Sequence, residues 1–210
     1  MAQPAAHKPV IVLCGGGHAR VVINALISMK RVVLGIVDED SDLAGQNILG
    51  LPVLGSESAL KMYSPEKVTL VNGLGGLKSM TPRTELFERF KKQGYEFLTV
   101  IHPSAIIGMD VEFSEGAQIM AGAVIQTGSR IGSNSIINTT ASVDHDCIIG
   151  RNVHIAPGVT LCGAVLVGDG AYIGSGATII PGITVGKDVL VKAGTTVIRD
   201  VVNQSQKSNR

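Results

Sequence analysis

Tryptophan is absent from this 210-residue chain, and aromatic residues make up only 3% of it. A core without large rings has to be filled by aliphatic side chains, which suits a narrow interior. Cysteine is scarce too: Cys14, Cys147 and Cys162 are an odd number, and none lies at metal-ligand spacing. That argues against a disulfide framework and a zinc-finger site, so the three read as reduced thiols of a cytoplasmic protein. Neither sign of charge is in excess, with 18 Lys and Arg against 17 Asp and Glu. No basic stripe alternates with aromatics, so nucleic acid is not an expected partner. Long apolar runs are missing as well. Val10–Leu13 is followed by Gly15-Gly16-Gly17, and neither a targeting segment nor membrane insertion is expected.

What is present is glycine (26 residues), a 45% share of hydrophobic residues, and a repeat. Every sixth residue from Ile101 to Val197 is aliphatic or Phe, through seventeen positions without an insertion. Chance would produce such a register about once in 10⁸ trials. Four residues after each of these stands a small or medium residue, such as Ala117, Ala123, Ser135, Ala141 or Cys147. Neither a helix of period 3.6 nor a strand of period 2 generates this. A triangular prism does. Six residues make one short strand and a corner, three such units make a coil of about 18 residues, and the aliphatics point inward. Residues 101–200 are therefore expected to form a parallel β-helix of hexapeptide repeats. Residues 201–210 read as a polar tail.

Residues 1–100 alternate strand and helix patterns and predict a small Rossmann-like α/β domain. Strands are expected at 9–14, 32–37 and 68–72, and helices at 18–30, about 58–63 and 81–94, the last capped by Thr81 or Thr84.

Three motifs could carry chemistry. Cys14-Gly15-Gly16-Gly17-His18 joins the first strand to the first helix, where glycines admit a ligand and the helix N-terminus favours phosphate. Asp38, ending the second strand, is placed to meet a ribose hydroxyl. A bare strand-to-helix turn is the alternative. Asp144-His145-Asp146 falls at a prism corner facing outward. Imidazole takes a proton near neutral pH, and Asp146 can hold its tautomer. An ordinary turn is the alternative there. His154 is expected to lie outward on a strand. His102, His145 and His154 lack the spacing of a metal site, so no metal is expected. Cys147 occupies an inward slot and reads as packing.

Several of these motifs together resemble the bacterial sialic acid O-acetyltransferase and nucleotide-linked amino-sugar N-acetyltransferase family. They are Gly-Gly-His after the first strand, Gly35-Ile36-Val37-Asp38, Ile101-His102-Pro103-Ser104-Ala105 and the run Asn138 to Gly150. The resemblance implies left-handed coiling of the prism, a homotrimer, and acetyl-CoA as co-substrate in the groove between subunits. It implies that His145 is the general base, Asp146 its acidic partner and the Gly163 amide the group serving the thioester oxygen. His154, Gly163 and Gly174 are implied on the cofactor side. Gly16, Gly17, His18 and Asp38 are implied on the nucleotide side, and Asn138 near the acceptor amine. The implied reaction is acetylation of the 4-amino group of a UDP- or GDP-linked deoxy-sugar. O-acetylation of a sialic acid is an alternative, and a non-catalytic trimeric scaffold is an alternative of another class. Two departures from the family stand out. Cys14 replaces a glycine at the start of the turn, and the segment from Asn72 to Arg83 is longer than usual.

Overall fold

The computed structural model describes residues 7–76 and 79–202. In the N-terminal domain, strands β1 (Val10–Leu13), β2 (Val33–Val37), β3 (Asn47–Ile48), β4 (Leu51–Gly55) and β5 (Thr69–Asn72) form one sheet in the order β3-β4-β2-β1-β5. β1 is parallel to both β2 and β5, and β4 is parallel to β2. Helix α1 (Gly17–Ser28) buries Ala19, Val22, Ile23 and Leu26, the i, i+3, i+4, i+7 stripe of an amphipathic helix. Helix α2 (Thr81–Lys92) buries Leu86, Phe87 and Phe90 on the opposite face of the sheet.

Three local expectations change. The 58–63 helix is a 3₁₀ segment, Glu57–Met62. Thr81 and Thr84 lie inside α2 rather than capping it. Ser79 Oγ accepts from the Thr81 N–H at 3.1 Å instead. The β3–β4 hairpin went unpredicted. It turns on Leu49 and Gly50, both at positive φ (52° and 81°), the backbone twist a two-residue hairpin needs.

The rest is the predicted left-handed β-helix. Two-residue strands recur every six residues from Val100–Ile101 to Thr196–Val197 and stack into three parallel sheets of six, six and five strands. Each strand pairs with the one 18 residues away, as in Ile136↔His154 and Ile137↔Ile155. We call face 1 the sheet containing Val100–Ile101, face 2 that containing Ile106–Ile107, and face 3 that containing Glu112–Phe113. The two inward rows read from the sequence line one continuous core, broken only where the prism ends at exposed Thr195.

A third period-six row sets the corners. From Asp110 to Gly194 every sixth residue is left-handed, with φ between 54° and 73°. Glycine, Asn or Asp fills all of these positions except Thr140 and Ala164. These residues tolerate that region at least cost.

The N-terminal domain sits on face 1. Val100 and Met120 join the cluster built on α1, and His18 Nε2 meets Gln118 Oε1 at 2.8 Å.

Candidate active site

His145 and Asp146 occupy the corner between faces 2 and 3. Asp146 is one of the left-handed corner residues (φ 57°), and this turn brings its carboxylate back onto the preceding ring. Asp146 Oδ2 lies 2.9 Å from His145 Nδ1, and Asp144 Oδ1 accepts from the His145 N–H at 2.8 Å. Both side chains are exposed. The bond to Asp146, reinforced by the charge of Asp144, raises the imidazole above its usual pKa. Asp146 therefore holds the Nδ1–H tautomer and leaves the Nε2 lone pair without a partner among the described residues, the arrangement a general base requires.

Gly163 stacks on His145 one coil later. A β-carbon there would lie 2.5 Å from His145 Nε2. The predicted pair is thus brought together, and the missing side chain is what lets the ring lie flat on the prism. The Ala164 N–H donates to His145 O at 2.8 Å and holds the two coils in register. Cys147 is buried, with Sγ 3.2 Å from Cys162 O, a packing role as expected.

The glycine turn also forms. Gly16 caps α1, and Gly16 and Gly17 are exposed, with open space where side chains would stand. Cys14 adopts φ 70°, the conformation a glycine would take there. Asp38 braces this turn. Its Oδ2 accepts from the Gly15 N–H at 2.6 Å and its Oδ1 from the Asp40 N–H at 2.8 Å. The aspartate expected to meet a ribose therefore also builds the loop beside it.

Two histidines lie at the junction of the domains. His18 reaches from the turn to the prism. Its ring is partly buried against Gln118, and burial together with the nearby Arg83 cation lowers its pKa to about 4. His154 projects outward from the prism as expected, but it is not solvated: the N-terminal domain covers it, and only 5% of it is exposed. Its Nδ1 donates to Gly76 O at 3.2 Å and its Nε2 accepts from Asn138 Nδ2 at 3.1 Å. Burial, with His18 and Arg83 adding to it, lowers its pKa to about 3. Gly174 is buried too. Its N–H donates to Val191 O at 2.9 Å, and a β-carbon would lie 2.5 Å from Ala193 N. Its lack of a side chain serves the stacking of coils, and its place on the cofactor side stays what the resemblance implies.

One buried cation escaped the sequence reading. Arg83 occupies a core position of α2 and is fully buried. It donates to Asn134 O (3.0 Å), Asn72 O (3.1 Å) and Leu74 O (2.6 Å), while its Nη2 has no partner among the described residues. Burial lowers its pKa to about 9. It ties β5, the segment after it and the prism into one junction. The only sequence signal was its place in the apolar stripe 83, 86, 87, 90. Among the described residues, no group of three or more His, Cys, Asp or Glu could hold a metal, and no helix is long and apolar enough to cross a membrane.

Comparison with known proteins matches both halves. The PglD N-terminal domain family covers residues 9–90, and the bacterial transferase hexapeptide family covers 128–163 and 164–199. GDP-perosamine N-acetyltransferase of Escherichia coli O157:H7 is 31% identical over 155 residues, 72% of this chain and 68% of that protein. The crystal structure of PerB from Caulobacter crescentus, in complex with CoA and GDP-perosamine, is 39% identical. It superposes with a TM-score of 0.84 over 93% of this chain and 91% of that one. The acetyltransferase domain of PglB from Neisseria gonorrhoeae, in complex with acetyl coenzyme A, is 31% identical, with a TM-score of 0.85 and 93% coverage of both chains.

Proposed function

Because this chain belongs to the PglD-type hexapeptide acetyltransferase family, we propose that it transfers acetyl from acetyl-CoA to the 4-amino group of a GDP-linked deoxy-amino-sugar. Relatives that hold CoA and GDP-perosamine over nearly the whole length support the substrate pair. The observation that carries the chemistry is the exposed His145–Asp146 pair lying against Gly163.

In this reading the amine nitrogen attacks the thioester carbonyl carbon. His145 Nε2 accepts the proton the amine loses, and Asp146 stabilises the resulting imidazolium. The Gly163 N–H donates to the carbonyl oxygen as charge develops on it. The carbon–sulfur bond breaks, and CoA leaves as its thiol with a proton returned from His145. The sugar keeps the acetyl group as an amide.

The site takes two copies of the chain. The N-terminal domain rests on face 1, whereas His145 stands on the corner between faces 2 and 3, the edge opposite face 1. The glycine turn of one copy then serves His145 of a neighbour, which fits a homotrimer. Outward Ile148 and Leu166 on face 3 supply apolar surface for such packing.

The test is purified protein with acetyl-CoA and a panel of GDP- and UDP-linked 4-amino-sugars, following free thiol. Turnover with the GDP-sugar and a trimeric mass by light scattering are expected. Turnover of a free sialic acid alone, or no thiol release with any amino-sugar, would contradict the assignment.

A further inference from the structure

Arg83 is a fully buried cation that the described residues meet with backbone carbonyls alone, those of Asn72, Leu74 and Asn134. A charge held by dipoles in a dry place keeps much of its field, because little water is near to screen it. The groups that could balance it are committed elsewhere. Cys14 lies within its range, but burial, then Asp38 and Glu57, push that thiol up to about 11, so it stays neutral. Glu57 is paired with Arg89, and Asp38 accepts from the Gly15 and Asp40 N–H groups.

The charge stands behind the glycine turn. Arg83 Nη1 donates to the carbonyls of Asn72 and Leu74, which straddle Gly73. Gly73 in turn lies against the turn. Its N–H donates to Leu13 O at 2.7 Å, and a β-carbon on it would stand 2.8 Å from Cys14 O and 2.9 Å from Ala19 Cβ, in the first turn of α1. One thickness of backbone thus separates the guanidinium from the start of α1. Burial, then Arg83, lower the pKa of His18 at that end of the helix, so the charge is felt there. The helix end is otherwise bare. Gly16 caps it without a side-chain bond, its first turn holds no acidic residue, and open space lies where side chains of Gly16 and Gly17 would be. The dipole of α1 and the charge of Arg83 therefore add at one place, and both favour an anion there.

We propose that Arg83 is a positioning residue for the diphosphate of the nucleotide-sugar: held at the start of α1, the diphosphate is the missing counter-ion of this buried cation, which attracts it across Gly73 without touching it. The proposal rests on the nucleotide-sugar reading above. It turns the cost of burying an unbalanced charge into affinity for one part of the ligand.

Calorimetric titration with GDP and with uncharged guanosine separates charge from shape. Arg83→Gln removes the charge and keeps an amide donor for the carbonyls. It should raise the Kd of GDP about tenfold or more, while the Kd of guanosine stays within about twofold. In thiol release, KM for the GDP-4-amino-sugar should rise with kcat little changed. A purely structural Arg83 would weaken guanosine and GDP alike. Should Arg83→Gln fail to fold, Asn134→Asp tests the same charge with the arginine in place. Asn134 O accepts from Arg83 Nε at 3.0 Å, and its left-handed corner conformation is one that Asp110, Asp146 and Asp188 also adopt. The new carboxylate balances Arg83 from the prism side and should cause the same selective loss of GDP. Equal shifts for guanosine and GDP, or an unchanged Kd for GDP, would overturn the role of Arg83 and leave the acetyltransferase reading standing. A wild-type protein that binds no GDP and turns over no nucleotide-amino-sugar would sink both.

Discussion

The imidazole of His145 lies on the α-carbon of Gly163, its counterpart one coil along, so closely that a β-carbon would stand 2.5 Å from Nε2. The proposed base and oxyanion donor are therefore fixed to one another by the 18-residue repeat rather than by a loop. Gly163→Ala must push the ring off the prism while leaving the core row untouched. An expected loss of about 10²-fold in kcat, typical of misplacing a catalytic group by an ångström, should come with an unchanged melting temperature. A parallel drop in stability would mean that the damage is to folding.

In the proposed mechanism Asp146 sets the pH profile. The base works when neutral, so the rate falls as pH drops through the raised pKa of His145. Asp146→Asn removes the largest cause of that rise. The acidic limb of kcat/KM should move to lower pH, and kcat should fall, though by less than the roughly 10²–10⁴-fold expected for His145→Ala. A limb that stays in place would show that another group titrates there.

Arg83 is a charge held without a carboxylate. Arg83→Met sheds the cost of the buried cation but strands the carbonyls of Leu74 and Asn134. Asn72 O keeps its bond from Gln118 Nε2 at 2.8 Å. Two stranded acceptors outweigh the relief, and a loss of about 2 kcal/mol is expected in urea unfolding. A midpoint equal to or above wild type would show that desolvation of the cation dominates.

His18 and His154 predict acid sensitivity. Their folded pKa values, about 4 and about 3, lie below the ordinary 6.5. The unfolded chain therefore takes up protons first as pH falls. Stability is full above pH 6.5 and declines toward pH 4, by roughly 5 kcal/mol for the pair. Urea midpoints across that range should show the slope, and His18→Gln should make it shallower. An unchanged slope in that variant would remove His18 from the account.

Why some of this was readable and some not is physical. The aliphatic row from Ile101 to Val197 was legible because an inward position must be apolar in every repeat. His145 was legible because its acidic neighbour is adjacent in sequence. The corner row Asp110 to Gly194 went unread because Gly, Asn and Asp share a backbone tolerance, not a hydropathy. The burial of outward His154 was not legible because what covers it, Gly76, is 78 residues away. Arg83 resisted for the same reason: its acceptors at Asn72 and Asn134 come from the sheet and the prism, and a lone charge on a helix ordinarily reads as solvated.

The left-handed residue at every sixth position makes the prism a ratchet with three teeth per turn. Inserting one residue anywhere in it would rotate everything downstream out of step, turning core positions to solvent and corners into strands. Whole coils are the only increments that leave the gearing intact. Eighteen residues could be removed beyond Ala164 or added there without moving His145 against Gly163. Within its strands the length of such a prism can thus change only in quanta, and the proposed chemistry is tied to one tooth of the ratchet.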